Sequence, residues 1–159
     1  MKKLTKKWLD RLYWIGFICY LAILIYFLFF SEGYNRQDIG VGYRYNLKPL
    51  NEIKRYIYVG FTDKRFLVNV LGNIVAFIPF GLALPLISHH KQKFVSVLLL
   101  GIEFIIMVET VQLMSKVGVF DVDDIILNTA GVILGYWIFM IGKGCVLLSR
   151  RIKTVKNRR

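Results

Sequence analysis

The chain is poor in the residues from which most soluble active sites are built. Its 159 residues include two cysteines, two histidines, three prolines and ten acids. Cys19 and Cys145 both fall inside apolar runs, so they form no disulfide framework and say nothing of redox compartment. His89 and His90 sit together in a short basic turn. No cysteine and histidine cluster has zinc spacing, and no serine has a histidine in reach to activate it as a nucleophile. There is no repeat and no low-complexity tract. The first apolar run stays bulky to its end, through Tyr26, Phe27, Leu28, Phe29 and Phe30. It lacks a small-residue cleavage site, which argues against a cleaved signal peptide and predicts an uncleaved signal anchor.

Charge is also absent over long stretches, and those stretches define the fold class. Residues 12–31 and 66–88 carry none; residues 94–114 carry only Glu103 and Glu109, and residues 125–148 only Lys143. About 20 apolar residues make about 30 Å of helix, enough to cross a hydrocarbon core. The composition agrees: 56% of residues are hydrophobic. The sequence therefore predicts an all-α, polytopic membrane protein, a single domain over residues 1–159 with four transmembrane helices. The segment between helices 1 and 2 is predicted to be partly ordered. It is rich in tyrosine, including Tyr34, Tyr43, Tyr45, Tyr56 and Tyr58, which suits a headgroup interface. Pro49 precedes a stretch, residues 51–58, that reads as a short interfacial helix. Pro79 and Pro85 predict a kink in the second span.

The formal net charge is +12. The basic residues cluster at the ends of apolar runs, a membrane-surface pattern rather than a nucleic-acid groove. With the N-terminus inside, the cytoplasmic pieces hold 13 Lys and Arg and the longer outer loops hold 8. Nearly all loop acids then lie outside. Both termini are predicted cytoplasmic.

Polar groups inside the spans mark the candidate site. A charged side chain at mid-bilayer costs about 2.5–3.5 kcal/mol on insertion scales, so such groups persist where something pairs them. Under the predicted topology Asn69, Asn73, Glu109, Gln112, Asp121, Asp123, Asp124 and Asn128 all fall toward the outer face. Glu109 and Gln112 share a helix face by their i, i+3 spacing. Asn128, Gly131, Gly135 and Gly142 each lie within about 40° of Asp124 around the fourth span. Gly131 and Gly135 are spaced for close helix packing. The expectation is a recess of carboxylates and amides, open to the outer surface. Three uses stay open: helix capping and cross-linking, with Asp121 or Asp123 at the start of span four; binding of a polar headgroup, peptide or sugar; and catalysis, with Glu109 and an aspartate as acid and base or as ligands to a hard cation. Glu103 stands apart near the middle of span three; two expectations stay open for it, a bridge from a long Lys143 side chain and a protonated carboxyl hydrogen-bonded to a backbone or lipid-facing polar group.

At these residues the chain resembles the VanZ-like family of small membrane proteins, whose namesake is linked to teicoplanin resistance. The matching pieces are Asn46, Leu47, Lys48, Pro49 and Leu50; Asn69 and Asn73 leading into Phe77, Ile78, Pro79, Phe80 and Gly81; Glu109 and Gln112; Phe120, Asp121, Val122, Asp123 and Asp124; and Asn128, Thr129, Gly131 and Gly135. Order and spacing fit from about residue 46 to 136. Where the family pattern implies an arginine shortly before the acidic turn, this chain has Lys116. The resemblance implies a four- or five-span protein and, in some members, lowered glycopeptide sensitivity.

The combined expectation is an accessory factor in a bacterial plasma membrane, working at the outer leaflet. Its partners would be membrane lipid and a cell-wall precursor or a glycopeptide antibiotic, with no nucleic acid, no cofactor and no resident metal. Glu109 would be the central acceptor, oriented by Gln112 and Asn128, with the aspartates meeting a cationic group. The alternatives are an intramembrane enzyme acting on a lipid-linked envelope precursor, and a structural partner docking another membrane protein through the Gly131 and Gly135 face.

Overall fold

The computed structural model describes residues 2–31, 42–59, 67–88 and 93–156. His89, His90, Tyr34 and the start of the second span at Phe66 lie outside them. Four long helices carry the apolar runs. Helix α1 (Lys2–Tyr26) continues as a π-helical stretch, Phe27–Ser31; α3 (Gly72–Ile87) is preceded by a second π-helical stretch, Leu67–Leu71. Helix α4 is Phe94–Met114 and α5 is Val122–Lys156. All four are long and apolar enough to cross a membrane. A short helix, α2 (Asn51–Val59), lies between α1 and α3, as Pro49 predicted. Two strands of two residues each, β1 (Tyr45–Asn46) and β2 (Phe120–Asp121), pair in parallel, Tyr45 with Phe120 and Asn46 with Asp121. This small bridge was not foreseen. Nor was the helical extent at both ends, where lysine and arginine, good helix formers, carry α1 and α5 past the apolar runs.

The chain runs up and down. Aromatic and glycine contacts set the levels: Phe17 meets Phe80, Phe80 stacks on Phe104, and Phe94 packs on Tyr136. Helices α3 and α5 therefore run parallel, and α1 and α4 run the other way. The tightest seam is α3 on α5. A Cβ on Gly131 would lie 2.2 Å from the Ile74 carbonyl oxygen, and one on Gly135 would lie 2.1 Å from that of Ile78. From the other side, a Cβ on Gly81 would lie 2.0 Å from the Val132 carbonyl oxygen. No side chain fits, so the two backbones touch. The core built around this seam holds Phe17, Leu24, Phe77, Phe80, Val97, Ile105, Val132, Tyr136 and Phe139. Helix α3 carries Pro79 and Pro85 without interruption. The Tyr20 hydroxyl donates to the Ala76 carbonyl, 2.7 Å away, three residues before Pro79, tying α1 to α3.

Candidate functional site

The end of α1, the starts of α3 and α5, and the end of α4 meet at one end of the bundle. Residues 42–59 cap it. The polar residues singled out from the sequence gather here, and most hold this cap in place.

Asp123 is 1% exposed. Its carboxylate accepts the backbone N–H of Leu50 and, at 3.1 Å, that of Ile53. These are donors of the first turn of α2. That helix has Leu50 at its N-cap position, with φ of 64° and no side-chain acceptor of its own. An acid 73 residues away therefore does the capping. Asp121, half-buried, accepts from Asn46 Nδ2 at 3.1 and 3.2 Å, and its Oδ1 also takes the Asp123 N–H at 2.8 Å. The β1–β2 pairing and the Phe120 N–H to Arg44 carbonyl bond, 3.1 Å, lock the same segment.

Deeper in, Glu109 is 3% exposed and its Oε2 accepts the Asp121 N–H at 3.2 Å. Gln112, also buried, donates from Nε2 to the Leu28 carbonyl at 2.8 Å. That carbonyl sits in the π-helical end of α1, where the wide turn displaces backbone groups from the α-helical ladder. Asn73 Nδ2 donates to Asp124 Oδ1 at 2.6 Å, tying the first turns of α3 and α5 together. Asn69 is half-buried in the π-helical turn before α3. Asn128, one turn beyond Asp124 on α5, is 2% exposed, and its Oδ1 is buried with no hydrogen-bond partner among the described residues. Buried polar atoms are normally satisfied, so this one carries information.

Helix α4 ends in a Schellman motif. Val117 N–H bonds the Gln112 carbonyl, Lys116 N–H bonds that of Leu113, and Lys116 takes the left-handed conformation with φ of 55°. Its ammonium lies 5.4 Å from the Tyr43 ring centroid, another tie to the cap. The cation preceding the acidic turn thus faces a ring on the covering segment.

Sequence reasoning did not single out Asn46 as a working side chain, nor the Leu28 carbonyl, nor α2 as the object of capping. One signal was available: α2 begins after Pro49 with leucine where a capping residue belongs. Gly131 and Gly135 pack on α3 of the same chain, so that face is filled from within. The expected Glu103 to Lys143 bridge is overturned. A Cβ on Gly101 would meet Val132 Cγ1 at 2.9 Å, which levels these two residues. Counting outward along antiparallel helices puts Glu103 and Lys143 about 20 Å apart along the axis. The cause is the acidic turn, which folds back beside Glu109 and starts α5 deeper than end-to-end alignment assumes. Both side chains are exposed, with the Lys143 ammonium 5.8 Å from the Phe139 ring centroid.

Among the described residues no three His, Cys, Asp or Glu side chains group closely enough to hold a metal ion. Grooves of about 320 and 240 Å³ lie toward the other end, along α1 and between α1 and α3, with linings that include none of these polar residues.

Four apolar helices and a polar end plate make this a multi-pass helical membrane protein. The family described as VanZ/LLP1 matches residues 17–143, and the chain belongs to it. It is 31% identical over 121 residues to Protein VanZ of Enterococcus faecium, covering 73% of this chain and 66% of that protein. No solved structure matches.

Proposed function

We propose that the protein is an accessory factor of the bacterial plasma membrane, with both termini cytoplasmic. It lowers sensitivity to teicoplanin-type glycopeptides by engaging an envelope component, a cell-wall precursor or the antibiotic itself, at the outer face. The distribution of lysine and arginine supports this orientation. Similarity to Protein VanZ supports the class of function.

The observation that carries a binding role is the Asn128 Oδ1, buried and, among the described residues, unpartnered, one turn from the Asn73 to Asp124 bond. It is an acceptor at the start of α5, suited to an N–H or ammonium donor. The hydrogen bonding divides the candidate residues by task. Asp121 and Asp123 hold residues 42–59. Asn69, Asn73, Glu109, Gln112, Asp124 and Asn128 then form the candidate binding group. The test is teicoplanin susceptibility of a host expressing the wild type, Asn128→Leu, Asp124→Asn or Glu109→Gln at matched membrane levels. Wild type should raise tolerance, and Asn128→Leu and Asp124→Asn should lose most of the rise. Equal, raised tolerance in all four would dismiss this polar group as the working feature; no rise with wild type would dismiss the function. Loss confined to Glu109→Gln, in a folded protein, would favour the enzymatic alternative.

A further inference from the structure

Glu103 occupies a position that none of the preceding roles uses. It lies nine residues from the start of α4 and eleven from its end, about 13–17 Å from either. A glutamate side chain is too short to reach a headgroup from there. Its side chain is exposed, and among the described residues none donates to it or pairs with it.

The surroundings are those of a helix contact. Leu99, Glu103, Ile106, Thr110 and Met114 are all exposed and fall within about 80° of one another around the helix. The buried face of α4, with Val97, Gly101, Ile105 and Val108, points the opposite way. Thr110 spends its hydroxyl on the Ile106 carbonyl, 2.7 Å away. The stripe is therefore apolar apart from one carboxyl group at its centre. Lipid tails give apolar faces no reason to associate, but a polar group in hydrocarbon does.

We propose that this face of α4 is a self-association surface, on which a second copy of the chain docks with the two Glu103 side chains paired across a two-fold axis along the membrane normal. Symmetry carries the choice of occupant. Copies inserted in the same direction place their Glu103 residues at equal depth without further design. In its acid form a carboxyl group is donor and acceptor at once, so each satisfies the other. The cation of the fourth span, Lys143, lies about 20 Å away along the axis and offers no competing partner.

The experiment is cysteine cross-linking in bilayers of the full chain, with Cys19 and Cys145 replaced by serine. Ile106→Cys sits on the stripe, and Trp137→Cys on the exposed side of α5 is the control. Ile106→Cys should give a dimer band at low oxidant and Trp137→Cys should not. Adding Glu103→Leu should weaken dimerisation about tenfold, read from fluorescence transfer against the protein-to-lipid ratio. Adding Glu103→Gln, which keeps a donor and an acceptor, should preserve it. Monomer at every ratio, equal cross-linking at both positions, or a dimer indifferent to Glu103→Leu would each overturn the proposal. So would purification of the wild type as a one-to-one complex with a different membrane protein bound at this stripe.

Discussion

Replacing Asp123 by alanine should release the covering segment while leaving the bundle folded. The side chain accepts two backbone N–H groups from the first turn of α2 and little else is placed to do so. Losing an N-cap costs about 0.5–2 kcal/mol. A buried hydrogen bond to a charged acceptor is worth about 1.5–3 kcal/mol, although water at this end recovers part of it. A net loss of about 2 kcal/mol is a reasonable centre, or about 30-fold in the population of the undocked segment. Hydrogen exchange read by mass spectrometry reports this directly. Peptides covering residues 46–59 should exchange about 30-fold faster in Asp123→Ala than in wild type. Peptides from residues 74–82 and 127–136, along the glycine seam, should keep their protection. Asp123→Asn, which retains one acceptor oxygen, should fall between. Unchanged exchange over residues 50–54 would show that the carboxylate does not hold the segment. A uniform loss of protection across all helices would show that it supports the whole bundle instead.

The other expectations concern packing and the π-helical turn. Gly135→Ala places a Cβ where the Ile78 carbonyl oxygen is and should cost about 1–3 kcal/mol in mixed-micelle unfolding; Gly142→Ala meets open space and should be neutral or stabilising by up to about 1 kcal/mol. Equal effects would refute a backbone contact at the seam. Gln112→Leu strips the Leu28 carbonyl of its donor and should speed exchange over residues 27–31, leaving α2 unaffected.

Much of this architecture can be read from residue order because the bilayer restricts the options. Charge-free runs of the right length are helices, since no other single-chain segment satisfies its own backbone in hydrocarbon. The meeting of Asn73 with Asp124, and of Glu109 with the acidic turn, follows from placing each polar residue by depth. The α2 helix was legible from Pro49. What escaped reading was the direction of the hydrogen bonds. A cap is ordinarily sought within three residues of a helix start, and here it comes from beyond two membrane spans. The π-helical end of α1 escaped because its partner lies in another helix, in the Gln112 side chain that takes up the Leu28 carbonyl. The depth of Lys143 was misjudged because nothing in its own span reveals that the acidic turn dips beside Glu109.

The start of α5 beneath the covering helix has an electrostatic consequence. Asp123 and Asp124 lie in the first turn of α5, which presents about half a positive charge there. The N-terminus of α2 contributes a second, directed at Asp123. Asp123 thus serves as counter-charge to two helix starts at once, and neutralising it loosens the covering segment from both.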